Sequence, residues 1–277
     1  MIGQNAINTR VRQAAVAGAF YPQNEARLRA EVAQLLQAAA ARTRTPDDPL
    51  HPDAKALIVP HAGYRYSGPI AAAAYASIAA RRSTISRVVL IGPSHRVYFH
   101  GIALPEAAAF STPLGNVPVD APARASLIAR GDVLIADKPH ALEHCLEVQL
   151  PFLQVLLEEF TIVPLVVGEA SPQYVAEVLA TVWGGPETLV LVSSDLSHYH
   201  AYAAAQQIDA QTAAAILARC QDLAGDQACG AAAINGLLRR ARELNLTVQE
   251  ISRLNSGDTS GERGQVVGYG AYALYEA

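Results

Sequence analysis

Three short apolar runs, each ending in a polar residue that can titrate, constrain this chain more than anything else in it. Residues 87–95 read Arg-Val-Val-Leu-Ile-Gly-Pro-Ser-His, with four apolar side chains in a row, three of them β-branched, before Gly92-Pro93. Such a run without a charge is what a strand buried on both faces requires, as in a sheet covered by helices. The Ser94-His95 pair follows where the strand should meet its loop. The same grammar recurs at residues 56–60, which deliver His61, and at residues 188–194, which deliver Asp195 and His198. In open α/β sheets, chemistry gathers outside the carboxyl ends of the strands. Three strands that end in titratable side chains predict one shared metal site.

The rest of the chain supplies the helices that such a sheet needs. Residues 1–23 read as an irregular arm closed by Tyr21-Pro22, after which Asn24 can cap a helix with Leu28, Val32, Leu35 and Leu36 on one stripe. Residues 45–49 are a loop by their turn residues, and the first core strand spans 55–60. Ser67 is placed to cap an alanine-rich helix reaching about Arg82, with Pro69 in its first turn. Further on, the pattern predicts a strand over 101–104, a loop over 110–116, a helix over 122–130 and a strand over 133–136. Helical spacing of Leu146, Leu150, Leu153 and Leu157 predicts a helix over 144–160, kinked or begun at Pro151. Pro164 argues for an edge or bulged position in the strand 161–167. Helices are predicted over 173–182, 202–219 and 229–244, and two strands over 248–254 and 266–275 that can pair antiparallel. With no Gly/Ser or Pro linker and no repeat, residues 1–277 are expected to form a single α/β domain. Its mostly parallel or mixed central sheet would be covered by helices on both faces.

Composition removes several function classes. A chain of 277 residues with 51% hydrophobic and 17% charged residues can bury a core without staples. Its net charge of −4 lacks the cationic surface that nucleic acid needs. No apolar stretch is long enough to span a bilayer, and no signal segment or lipid anchor is evident. Three cysteines, Cys145, Cys220 and Cys229, do not make a disulfide framework, so a cytoplasmic location is expected.

The candidate residues each carry a bland reading beside the chemical one. A single histidine after a strand is commonly a hydrogen-bonded structural residue, but His61 and His95 stand at two consecutive strand ends in the sequence. Strands about 5 Å apart can bring such side chains onto one ion. His144 and Glu147, three apart on a helix, can face one pocket, or they belong to a solvated helix start; spacing does not choose. Asp195 and His198 suit a carboxylate–imidazole pair or a general base held in one tautomer, although Asp195 can equally cap a turn. His200 is expected to point away. Cys229 opens a predicted helix, where the dipole favours the metal-binding thiolate, against the commoner fate of a buried inert cysteine. Gly92-Pro93-Ser94 is not followed by a phosphate-binding glycine fingerprint.

Taken in order, these segments resemble the Memo family, which includes bacterial "AmmeMemoRadiSam system protein B". The matching stretches are residues 15–22, Val59-Pro-His-Ala-Gly-Tyr64 with Ser67-Gly68, Ile91-Gly-Pro-Ser-His95, Ser111-Thr-Pro113, Glu143-His-Cys-Leu-Glu-Val-Gln-Leu-Pro151, residues 163–168, Ser193-Ser-Asp-Leu-Ser-His198 and Cys229-Gly230. The family is similar in fold to the class III extradiol dioxygenase catalytic subunit, whose site holds non-haem iron(II) with two histidines and a carboxylate. The resemblance implies His61, His95 and Cys229 as ligands, with His144, Asp195 and His198 lining the pocket. A thiolate in place of a carboxylate softens the site, so Fe(II) is the leading cofactor, with copper or zinc as alternatives. Gln149 departs from the animal-type pattern, in which a further histidine tends to stand. The function implied is dioxygenase-like redox chemistry on an unidentified small organic substrate. The alternatives are a zinc hydrolase or a non-catalytic adaptor on an enzyme fold. The family's name also implies a pathway link to radical-SAM and AMMECR1-type proteins.

Overall fold

A computed structural model of the protein describes residues 10–42 and 53–276. In chain order the elements begin with β1 (Val11–Arg12), α1 (Glu25–Arg42), β2 (Ala56–Val59), α2 (Tyr64–Ser77) and β3 (Arg87–Pro93). They continue with β4 (Ile102–Leu104), β5 (Ala109–Thr112), β6 (Gly115–Pro118), α3 (Ala121–Arg130), β7 (Leu134–Ile135), α4 (Lys138–Ala141) and α5 (Leu150–Leu156). The second half holds β8 (Thr161–Val167), α6 (Pro172–Val182), β9 (Thr188–Ser193), β10 (His198–His200), α7 (Tyr202–Leu217) and α8 (Ala231–Glu243). It closes with β11 (Thr247–Asn255), α9 (Ser256–Ser260) and β12 (Val266–Tyr275).

The main sheet runs β10-β12-β2-β9-β3-β8-β4-β7, with β11 also paired to β12. Its centre, β2-β9-β3-β8, is parallel, and β12 joins β2 antiparallel, so the sheet is mixed. Alternation along the central strands divides the core into two layers. Leu57, Val59, Val88, Leu90, Leu189 and Leu191 pack on one face with Leu28 and Val32 of α1 and Ile70 and Tyr75 of α2. Ala56, Ile58, Val89, Ile91, Val190 and Val192 face the other way onto Val175 and Leu179 of α6 and Ile234 and Leu238 of α8. This is the α/β architecture that the apolar runs predict, with helices on both faces. Removing one such side chain, as in Leu90→Ala, costs roughly 2–5 kcal/mol.

Local signals account for most boundaries. Asn24 caps α1 through Arg27 N at 3.0 Å, Asp120 caps α3 through Ala123 N at 2.8 Å, and Ser171 caps α6 through Tyr174 N at 3.2 Å. The expected cap at Ser67 is wrong. Helix α2 starts earlier, after Gly63, and its Tyr64 N–H donates to Phe20 O at 2.8 Å, so the N-terminal arm replaces the missing side-chain cap. The arm is itself less irregular than predicted, because β1 pairs in parallel with β5.

Three further expectations need correction. Residues 110–116 are not a loop: β5 and β6 form a hairpin turning through Leu114 and packing Phe110 and Val117 into the core. The continuous helix predicted over 144–160 is a turn at 144–146, a 3₁₀ turn at Glu147–Gln149 and then α5, which opens with Pro151 near its start. Strand β8 is interior, between β3 and β4. It tolerates Pro164 because the backbone groups of Ile162 and Gly168 that share its parity point away from β3, to Asp120 and Gly101. Pro164 falls between those two bonds, so its missing N–H breaks no rung of the β3–β8 ladder. The predicted loop at 45–49 lies outside the described residues. Among the described residues no helix is long and apolar enough to cross a membrane.

Candidate metal centre

His61 follows the carboxyl end of β2 and His95 that of β3, but β9 lies between those strands. The two imidazoles therefore meet above the end of β9, with ring centroids 5.1 Å apart in an edge-on arrangement. Cys229 arrives from the other side of the chain, one residue before the Gly230 that caps α8. Its Sγ lies 3.3 Å from His61 Nε2. One ligand atom from each of His61, His95 and Cys229 lies within 4.8 Å of the others. A tetrahedral ion with bonds of about 2.0–2.3 Å spaces its donors roughly 3.5 Å apart. The sulfur–imidazole pair already meets that spacing.

Glycine makes this approach possible. A Cβ on Gly230 would stand 2.7 Å from Ser194 Cβ and 3.0 Å from Ser193 O, so only a bare backbone lets α8 dock on the end of β9. Gly92 does the same on β3, where a Cβ would lie 2.8 Å from Cys145 Sγ.

The outer nitrogens of both histidines are committed. Glu143 is buried and takes two bonds from one residue: His95 Nδ1 at 2.9 Å on Oε1 and His95 N at 2.6 Å on Oε2. His61 Nδ1 meets Ser193 Oγ at 3.0 Å, and His61 N donates to Asp195 Oδ1 at 2.7 Å. That leaves Nε2 as the nitrogen each ring can offer an ion, the arrangement that metal-bound imidazoles adopt. His144 completes a trio of rings, 4.7 Å from His95 and 5.3 Å from His61, and packs on Phe20 at 4.8 Å. Its Nδ1 lies 3.2 Å from Glu143 Oε1, an ion-pair contact when the ring is protonated.

Burial dominates the electrostatics of the site. Burial pushes the His61 imidazole well below its ordinary range, and His95 and His144 push it the same way. Burial, reinforced by Asp195, pushes the Cys229 thiol up to about 12. Desolvation of the charged sulfur thus works against the help that the end of α8 would give a thiolate. A divalent ion would supply the missing charge and take the proton's place. Burial works against ionisation of Glu143, but His144 and His95 outweigh it and hold the carboxyl well below the usual range. Asp195 is raised by burial despite its bond from His61 N.

The centre opens into a cavity of about 830 Å³ walled by Phe20, Tyr66, His198 and Tyr269 among others. His198 stands on this wall and acts on the Asp195 carboxylate by charge, while Asp195 Oδ1 accepts from His61 N. His200 lines the cavity too, contrary to expectation. The register of β10 against β12 shifts between His198 and His200, and Tyr199 at the shift has φ +62°, so the strand alternation used to aim His200 away does not apply.

Glu147 does not face the pocket. It is fully buried and accepts from Ala15 N at 2.7 Å, Val16 N at 3.0 Å and Tyr21 Oη at 2.5 Å, and it pairs with Arg12. Gln149, in place of a further histidine, is turned away from the ion position toward Pro60 O and Ser193 Oγ. Cys145 donates from Sγ to Pro93 O at 3.1 Å. Glu143 and Ser193 stood inside the candidate groups of the sequence, but nothing there gave either a role. Their bonds to His95 and His61 cross 48 and 132 positions, so no local pattern points to them.

A family model described as "Memo-like protein" matches residues 12–273. Curated relatives named "MEMO1 family protein" align over nearly their whole length. The relative from Sulfolobus acidocaldarius is 34% identical over 278 residues, 94% of this chain and 97% of its own. That from Metallosphaera sedula is 31% identical, covering 93% of this chain and 97% of its own. That from Methanosarcina mazei is 32% identical, covering 94% and 98%.

Proposed function

The chain belongs to the Memo family, and from that premise we propose that it is a metal-dependent redox protein acting on a small organic molecule. His61, His95 and Cys229 would hold the metal, with ferrous iron the first candidate and copper or zinc next. The observation that carries this reading is the convergence of one ligand atom each from His61, His95 and Cys229 in a cavity large enough for an organic substrate. When bound, ferrous iron supplies one-electron exchange with an oxidant such as dioxygen at positions the three protein donors leave open.

The remaining work falls to the chain's own residues. Glu143 holds the His95 ring in one orientation through both carboxylate oxygens. Asp195 fixes the backbone of His61. His144, whose Nδ1 lies 3.2 Å from Glu143 Oε1, lines the cavity and would take or give a proton there, and His198 stands on the wall to do so farther out. Phe20 packs on the His144 ring and screens it from water.

Protein purified without oxygen should carry iron near one ion per chain, or take it up on addition and then consume dioxygen with a matching substrate. Protein that holds no iron and gains no activity with added iron would refute the ferrous reading. Turnover of an ester or amide with zinc and without oxygen would replace it by hydrolysis.

A further inference from the structure

Beneath His61 runs a buried chain of hydrogen bonds that ends on a hydroxyl with a single proton. Tyr75 Oη donates to Gln149 Oε1 at 2.7 Å. The Gln149 amide nitrogen, which has two protons, donates to Pro60 O at 3.0 Å and to Ser193 Oγ at 2.8 Å. Both assignments are forced, because a carbonyl can only accept and the amide oxygen is taken by Tyr75. Ser193 Oγ gives its one proton to Cys145 O at 2.6 Å. It can then only accept from its remaining neighbour, His61 Nδ1 at 3.0 Å. All four side chains are buried, so water does not offer another partner at low cost.

We propose that Ser193 and Gln149 are positioning residues that hold His61 as its Nδ1–H tautomer and leave the Nε2 lone pair directed at the ion position. The inference deepens the metal reading and rests on it for its purpose, but the tautomer is a property of the metal-free chain. Gln149 thereby has a part of its own: it fixes the direction of the Ser193 hydroxyl. Glu143 performs the parallel task for His95 with a carboxylate, which has no proton to give when ionised and so needs no such relay.

The test is a long-range ¹H–¹⁵N correlation of the histidine rings in metal-free protein, with His61 assigned by its loss in His61→Gln. The wild type should show a single Nδ1–H tautomer. Ser193→Ala should show a mixture of tautomers, and Gln149→Leu a smaller shift in the same direction. The same Ser193→Ala protein should bind zinc, titrated alone against a chelator, about 10–100-fold more weakly. A wild-type His61 protonated on Nε2, or a pure Nδ1–H tautomer retained in Ser193→Ala, overturns the proposal. A Gln149→Leu spectrum identical to wild type removes Gln149 from the relay. If the wild type shows the Nδ1–H tautomer and binds no zinc, the metal reading fails while the positioning stands. Should Ser193→Ala not fold, the wild-type tautomer and Gln149→Leu still decide.

Discussion

Replacing Glu147 by glutamine should unfold the arm before it touches the metal centre. The Glu147 carboxylate is fully buried beside the Arg12 guanidinium, itself 5% exposed. It also takes both backbone N–H groups of Ala15 and Val16 and the Tyr21 hydroxyl. An amide of the same shape keeps one acceptor oxygen, turns an NH₂ toward donors and leaves a buried cation uncompensated. Breaking a buried pair from one side costs about 3–5 kcal/mol, because the remaining charge has nowhere to go. At roughly 2–4 °C per kcal/mol for a domain approaching this size, the melting temperature should drop by roughly 10 °C. Urea unfolding of the two proteins measures the loss directly. The double replacement Arg12→Met with Glu147→Leu should recover most of it, since well-packed apolar groups commonly match such a pair. Arg12 also donates to the carbonyls of His140 and Glu143, so the clamp holds the segment that carries the His95 partner. Even so, folded Glu147→Gln protein should bind zinc within a few-fold of wild type, because Glu147 is not a ligand. A stability within about 1 kcal/mol of wild type, or a metal affinity lost at full stability, would refute this account of Glu147.

Glu143→Gln should weaken zinc binding about 10–100-fold without unfolding the protein, since an amide cannot accept both bonds from His95; chelator competition measures it. Gly230→Ala puts a Cβ 2.7 Å from Ser194 Cβ, so it should cost about 1–3 kcal/mol in denaturant and displace Cys229, lowering metal affinity as well. Burial lowers the His140 pKa to about 4, against which its bond to Ala103 O works only in part. An unfolded His140 gains its proton near pH 6.5 and the folded one only near 4. Stability should therefore fall as pH drops from about 6.5 to 4, by roughly 3 kcal/mol, and His140→Gln should flatten that slope in a pH series of urea titrations.

The sheet and most of the centre were legible because they follow from runs of adjacent residues. An uncharged β-branched run reads as a buried strand wherever it sits, and residues 57–59, 88–91 and 189–192 all landed in the parallel core. A titratable residue just past such a run is then at the carboxyl edge by construction, which is why His61, His95 and Asp195 fell together. What stayed hidden depends on distant partners. The β5–β6 hairpin offers Phe110, Leu114 and Val117 to the core among turn-forming residues, so its pattern is that of a loop until β1 pairs with it. The cap of α2 is a carbonyl from Phe20, and the acceptors of Glu147 are spent on an arm more than 120 positions away. Cys229 was placed by family resemblance, since a helix end is visible in sequence while the burial that pushes its thiol up is not.

X-ray absorption of zinc-loaded protein addresses the shared ion most directly. The wild type should show one sulfur at about 2.3 Å and two imidazole nitrogens at about 2.0–2.1 Å. Cys229→Ala should lose the sulfur shell and keep the two nitrogens. A wild-type spectrum with no sulfur shell, or one left unchanged by Cys229→Ala, would contradict the assignment of His61, His95 and Cys229 to a single cation.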